Sequence, residues 1–177
     1  MNRINFNAEG YTVNPVIISP ERKKLLNRNL MLFFTGFSRF SSDIQVAAEK
    51  NLKSKQNQLL EMLSLVDDAE KILTSKTDLE EFGRLLDYTW QLKRGITDKV
   101  STDSIDAVYS RALQAGATGG KLLGAGGGGF LLFYVDPDKQ ENVRKALENL
   151  LYVPFEFENG GTRVIHYTPE SYEPVNA

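Results

Sequence analysis

Cysteine is absent from this 177-residue chain, which removes disulfide scaffolds, thiolate zinc sites and thiol catalysis together. Histidine is nearly absent as well: His166 is the only one, and with no second imidazole it cannot build a metal cluster of the zinc type. Charge of one sign is missing too. The 21 Lys and Arg stand against 23 Asp and Glu, a net charge of -2, which gives no electrostatic reason to expect nucleic acid or an anionic membrane as a partner. Long apolar runs are lacking. The longest, Phe130 to Val135, has six residues, against the ~20 that span a bilayer. The opening MNRINFNAEG lacks the apolar stretch of a signal peptide. These absences set the expectation of a soluble, cytoplasmic protein. What is present, 41% hydrophobic and 25% charged residues, is the composition of a globular domain.

Residues 3 to 18 alternate about an Ala8-Glu9-Gly10 turn and predict a β-hairpin. Ser19-Pro20 supplies a cap and a first-turn proline for a short helix reaching about Asn27. Leu30 to Phe34, closed by Thr35-Gly36, reads as a strand buried on both faces. Ser41-Ser42-Asp43 can cap one long helical segment with Leu52, Leu59, Met62, Leu63, Val66, Ala69 and Leu73 on a face. Thr77-Asp78-Leu79-Glu80 has the form of a capping box, followed by a helix carrying Phe82, Leu86 and Trp90 and ending near Gly95. Another helix carries Ile105, Val108, Tyr109 and Ala112. Beyond the glycines, Phe130 to Val135 predicts a strand, and Asp136-Pro137 caps a helix bearing Val143, Ala146, Leu147 and Leu150. Residues 153–158 and 162–167 predict a hairpin about Asn159-Gly160. Strands at both ends and helices between give an α+β fold, an antiparallel sheet covered on one side by helices.

Eight of the 14 glycines lie between Gly116 and Gly129. Such a run loses much backbone entropy on folding, and it persists where a ligand must approach the backbone or where positive φ angles are needed. Successive N–H groups of a glycine loop can also form a concave anion site. Two familiar readings fail on context. Gly124-x-Gly126-x-x-Gly129 fits a dinucleotide fingerprint, but that mechanism needs a helix after the loop, and here a strand follows. Gly120-Lys121 fits part of a P-loop, but Leu122 stands where Ser or Thr must hold magnesium.

The segment Gly119-Gly120-Lys121-Leu122-Leu123-Gly124-Ala125-Gly126-Gly127-Gly128-Gly129-Phe130 resembles the third motif of the GHMP small-molecule kinases. The resemblance extends to Trp90-x-x-Lys93-Arg94, Ser101, Ile105-Asp106, Tyr109 and Gly116-Ala117, and to Phe34-Thr35-Gly36-x-Ser38-Arg39. Taken together these look like the branch that phosphorylates heptose 7-phosphate, over roughly residues 3 to 167.

The resemblance implies a C-terminal kinase domain of ferredoxin-like form over 19–168, a hairpin over 1–18 left from an N-terminal domain, and a tail over 169–177. It places Gly124, Ala125, Gly126, Gly127, Gly128 and Gly129 along a nucleotide and substrate cleft. Arg39, Lys93, Arg94, Thr118 and Lys121 become candidates for the substrate phosphate, since Lys and Arg suit phosphate oxygens. ATP and magnesium are implied for the complete enzyme, with none expected on this chain and no metal ligand or catalytic residue within it. The family's phosphate loop, Pro-x-x-x-Gly-x-x-Ser-Ser, belongs to the N-terminal domain, and no such pattern occurs here. The expectation is a sugar-phosphate kinase portion inactive alone, with the N-terminal domain as partner and a homodimer through the exposed hairpin edge. The competing expectation is a stand-alone, non-catalytic α+β module that binds a ligand or partner protein.

Overall fold

The computed structural model describes residues 1–36, 41–162, 164, 166 and 167. The expected hairpin is present: β1 (Asn2–Asn7) pairs antiparallel with β2 (Gly10–Pro15) as a separate two-stranded sheet. Arg3 ties it to the helical layer through Asp67 at 2.6 Å and Glu70 at 3.0 Å. Phe6 and Tyr11 pack on each other and remain mostly exposed. In α1 (Pro20–Asn29) the Ser19 hydroxyl accepts from the Arg22 N–H and Pro20 opens the first turn. The helix runs two residues beyond the Asn27 expected from the pattern.

The main sheet joins β3 (Leu30–Phe34), β4 (Ala117–Leu122), β5 (Phe130–Val135) and the short β6 (Leu151–Tyr152) in the order β4-β5-β3-β6, with every pair antiparallel. Side chains alternate across the sheet. Met31, Phe33, Leu131, Phe133 and Val135 enter a core with Trp90, Ile105, Tyr109, Ala112 and Val143. Leu30, Leu132 and Tyr134 join a smaller cluster with Leu26, Leu73, Leu79 and Leu86 on the other face. The second face is therefore not bare, and it opens as an apolar cavity of about 380 Å³ between Leu26, Leu73, Phe82, Leu123, Phe155 and Phe157.

The helices are α2 (Ser41–Asn51), α3 (Gln56–Thr74), α4 (Glu80–Arg94), α5 (Asp103–Gln114) and α6 (Gln140–Ala146). Four expectations are corrected. The single long helix is two, because residues 52–55 form turns and leave Leu52 exposed. The Thr77 capping box does not form. Asp78 supplies the carboxylate oxygen for the Glu80 N–H, while the Thr77 N–H and hydroxyl are engaged with Ser75. The helix after Asp136 begins with a 3-10 turn at Pro137–Lys139, capped by Asp136 on the Asp138 N–H, and ends at Ala146.

The fourth correction is the C-terminal hairpin. Val153 still donates to Leu32 O at 2.8 Å, but Pro154 has no N–H with which to continue a ladder. The chain then leaves the sheet and binds the Asn27 side chain, which donates to Phe155 O and accepts from Phe157 N. Residues 153–158 keep the alternation, Phe155 and Phe157 inward and Glu156 and Glu158 outward, without being a strand. The described residues of 162–167, His166 among them, form no strand either. The tail 168–177 lies outside the described residues. No described helix is long and apolar enough to cross a membrane.

Candidate functional site

The glycine segment divides into two parts with different physics. Gly119 and Gly120 lie within β4, not in a loop, and Gly116 is the turn residue directly before that strand. There the missing side chains allow close packing. A Cβ on Gly119 would lie 2.1 Å from Gly83 O of α4, and one on Gly120 would lie 2.5 Å from Leu132 O. Residues 123–129 are the true loop, joining β4 to β5. It needs glycine for backbone conformation: Gly126 has φ 127° and Gly127 φ 70°, values that L side chains avoid.

Among the described residues, the Leu123 N–H donates to Phe130 O at 2.8 Å across the base of this loop, and further contacts hold its start, middle and end. At its start, Lys93 Nζ donates to Gly124 O at 2.5 Å. In its middle, the Gly127 N–H donates to Val100 O at 2.9 Å, and Val100 sits so close that a Cβ on Gly126 would meet its carbonyl at 2.7 Å. At its end, Thr35 clasps Gly129 twice over. The Thr35 hydroxyl lies 2.9 Å from Gly129 O and 3.1 Å from Gly129 N, and the Thr35 N–H donates to the same carbonyl at 2.8 Å.

Several residues at the spaced positions upstream sit in the core or brace β4 and the turn at Val100. Trp90 is fully buried in the main core, its indole N–H without an acceptor among the described residues. Arg94 Nη2 and the Ser101 hydroxyl each bind Asp106 at 2.5 Å, which fixes the end of α4 to the start of α5 and thereby the Val100 turn between them. The Tyr109 hydroxyl binds Asp87 Oδ1 at 2.6 Å and sits between the O and N of Gly120, at 3.0 and 3.1 Å. Burial and the Asp87 carboxylate push the Tyr109 phenol far above its usual range, so it stays neutral and donates.

The candidate phosphate residues separate in this frame. Lys93 lies against Gly124 O, and the Lys121 charge is near enough to act on it. Burial first, then the Lys121 charge, lowers Lys93 to about 8, and burial lowers Lys121. Arg94 is committed to Asp106 and supports the site from behind. Thr118 stands at the far end of β4, where the register shifts, six residues and roughly 20 Å from Gly124 along the strand. Arg39 lies outside the described residues. Pattern reading gave no role to Thr35 or Val100. A polar residue closing an apolar strand was the available signal for Thr35, whereas Val100 acts through its carbonyl and left none.

Gly127 and Gly129 spend their N–H groups inside the protein. The N–H groups of Gly124, Ala125, Gly126 and Gly128 have no acceptor among the described residues. Together with two ammonium groups, this donor set fits a phosphate oxyanion. Among the described residues no group of three His, Asp or Glu is placed to hold a metal ion.

A four-stranded antiparallel sheet with helices and a glycine turn joining its edge strand β4 to the neighbouring β5 defines the class of domain. Comparison with known proteins gives the family. Residues 69–153 match the family described as GHMP kinases C terminal, and the chain carries that domain. It is similar to the D-glycero-alpha-D-manno-heptose 7-phosphate kinase of Campylobacter jejuni, 33% identical over 144 residues, which is 80% of this chain and 42% of that protein. Among solved structures it is similar to a putative sugar kinase from Campylobacter jejuni, with TM-score 0.56 and 26% identity over 89% of this chain and 45% of that one. The mevalonate kinase of L. major in complex with R-mevalonate shares the fold, with TM-score 0.68 and 19% identity over 85% of this chain and 47% of that one. The chain spans less than half the length of each.

Proposed function

We propose that this chain is the C-terminal portion of an ATP-dependent sugar-phosphate kinase, acting on a heptose 7-phosphate or a close relative. The observation that carries the reading is the loop at 123–129. It is held at three points, its backbone is kept open by positive φ angles, and four of its N–H groups are unused. Phosphoryl transfer asks little covalent chemistry of the protein and much positioning and charge stabilisation. ATP supplies the phosphoryl group when bound. The residues of this chain present a rigid backbone surface at which the acceptor and the transferring phosphate can lie. Rigidity matters because donors already in place need no reorganisation as charge develops.

The heptose preference rests on the 33% identity over four-fifths of the chain and on the agreement of spaced positions from Thr35 to Tyr109. In this reading the phosphate loop and the magnesium ligands come from the remainder of the kinase, which also covers Phe6, Tyr11 and Val13 of the hairpin in preference to a second copy of this chain. Its substrates, ATP and a sugar phosphate, are in keeping with a cytoplasmic location. The chain by itself is then inactive.

The test is ADP release from ATP. The chain is assayed alone and joined to the part of the Campylobacter jejuni kinase that it does not cover, each with heptose 7-phosphate, mevalonate or fucose. The expected result is turnover by the joined protein with heptose 7-phosphate and none by the chain alone. Turnover with mevalonate only would move the acceptor class, and turnover by the chain alone would mean a catalytic site within these residues.

A further inference from the structure

Asn159 is the only asparagine of the chain that a glycine follows. The pair was expected to turn a hairpin, but among the described residues no strand forms on either side of it, so no ladder engages it. Asn159 and Gly160 are both exposed, and the Gly160 N–H has no acceptor among the described residues. Glycine carries no Cβ to shield its nitrogen, and its backbone turns readily to bring that nitrogen against the preceding side chain. The Asn159 amide itself is held. Its Oδ1 accepts from Lys23 Nζ of α1 at 2.9 Å. An ammonium group on that oxygen draws electron density from Cγ, and it stands where negative charge gathers when a nucleophile adds there. Lys24 and Arg28 of α1 line the same cleft, whose other wall is Glu156 and Phe157. A backbone nucleophile, a polarised carbonyl and the cation that polarises it are therefore side by side.

We propose that Asn159 is a site of spontaneous deamidation and that Lys23 promotes it. The Gly160 nitrogen gives its proton to solvent and bonds to Asn159 Cγ. The charge that passes to Oδ1 is received by the Lys23 ammonium group. The bond from Cγ to Nδ2 then breaks, and that nitrogen takes a proton from water and leaves as ammonia. A succinimide ring remains, and water opens it at either carbonyl. One opening gives aspartate at 159, and the other gives the isoaspartyl isomer, in which the chain continues through the side-chain carbon. An amide and a water have become a carboxylate and ammonium, with nothing oxidised or reduced. The new carboxylate faces Lys23, so the hydrogen bond that ties the end of the 153–159 segment to α1 becomes an ion pair. None of these atoms takes part in the kinase site proposed above.

The full chain is held at mildly alkaline pH beside the same chain unfolded in urea. Samples are digested and read by peptide mass spectrometry, and an isoaspartate-specific methyltransferase separates the two products. In the folded chain Asn159 is expected to convert ahead of every other asparagine, and at least as fast as in urea, where the Lys23 contact is lost. Lys23→Met keeps the aliphatic stem and removes the charge. It should slow conversion in the folded chain about fivefold, the rate equivalent of one hydrogen bond near the surface, and leave the rate in urea unchanged. Lys23→Arg should retain most of the wild-type rate. Gly160→Ala shields the nitrogen and should suppress conversion in both states, as the succinimide route requires. A thermal melt confirms that the compared chains are folded. An Asn159 amide that persists in the folded chain while it converts in urea would overturn the proposal, because the fold would then protect the site. So would equal folded-state rates in wild type and Lys23→Met, or undiminished conversion in Gly160→Ala.

Discussion

Gly119 and Gly124 lie five residues apart in one glycine-rich segment, yet substitution should affect them for unrelated reasons. In Gly119→Ala the new methyl group would stand 2.1 Å from Gly83 O and 2.9 Å from Asp87 Cβ. Both obstacles are fixed in α4, so the helix must retreat by roughly 1 Å to restore van der Waals contact. That retreat loosens the Gly83 contact with Tyr134, where the spacing is already too small for a side chain at 83, and stretches the Tyr109–Asp87 bond. Overpacking of this kind costs about 3 kcal/mol, or a fall of roughly 10 °C in melting temperature for a chain of this size. In Gly124→Ala the methyl group meets nothing within 4 Å, and only the φ of 75° resists it, a cost of about 1 kcal/mol. Urea unfolding of the two variants beside wild type measures the difference. A Gly119→Ala chain as stable as wild type would refute the close packing of α4 on β4. A Gly124→Ala chain as unstable as Gly119→Ala would refute the division of the segment into a packed strand and an open loop.

Two further outcomes follow from the electrostatics. Lys93 has an ordinary value of 10.5 and stands at about 8 in the folded chain. Between these values the unfolded chain holds a proton that the folded chain does not, so stability rises with pH across this window. Because the group is partly solvated, the gain should be only about 1 kcal/mol, and Lys93→Met should flatten that part of the pH–stability curve measured by urea titration. Tyr109→Phe leaves the Gly120 N–H and the Asp87 carboxylate short of a partner in the interior. It should lower stability by about 2 kcal/mol, and hydrogen exchange at Gly120 should accelerate. Unchanged exchange there would remove Tyr109 from the support of β4.

The parts of the fold that were legible in advance are those where side chains carry the signal. Apolar runs marked β3 and β5, alternation marked the first hairpin, and Ser19 and Asp136 marked helix starts. β4 was not legible, because three glycines in or beside it leave no periodic pattern to read. Its strand character comes from pairing with β5 and from α4 lying against its bare backbone. Phe155 and Phe157 face inward and Glu156 and Glu158 outward, but residues 153–158, expected as a strand, do not form one. Pro154 and the Asn27 amide decide that, and neither contributes to periodicity. At the site, the glycine run stood out from the residues alone, and Lys93 became a candidate through the family resemblance. The clasp at Thr35 and the carbonyl of Val100 came from elements distant in sequence, joined by backbone contacts that residue identity does not encode. Arg94 and Thr118 suit phosphate by type; the structure gives Arg94 an ion pair to Asp106 and sets Thr118 at the far end of β4.

The central claim is that the 123–129 turn is the working surface of a kinase and not a mere connection between strands. Gly127→Val in the joined enzyme tests it most directly. Gly127 has φ 70° and its N–H is held by Val100, so a β-branched side chain forces the turn into another shape while the core beneath it is untouched. The measurement is ADP release with ATP and heptose 7-phosphate, alongside a thermal melt of each protein. The account predicts a folded enzyme whose turnover falls by about a hundredfold or more, as misplacement of reacting groups by an ångström can cause. A folded Gly127→Val enzyme with full activity would contradict it and leave the glycines as a turn alone.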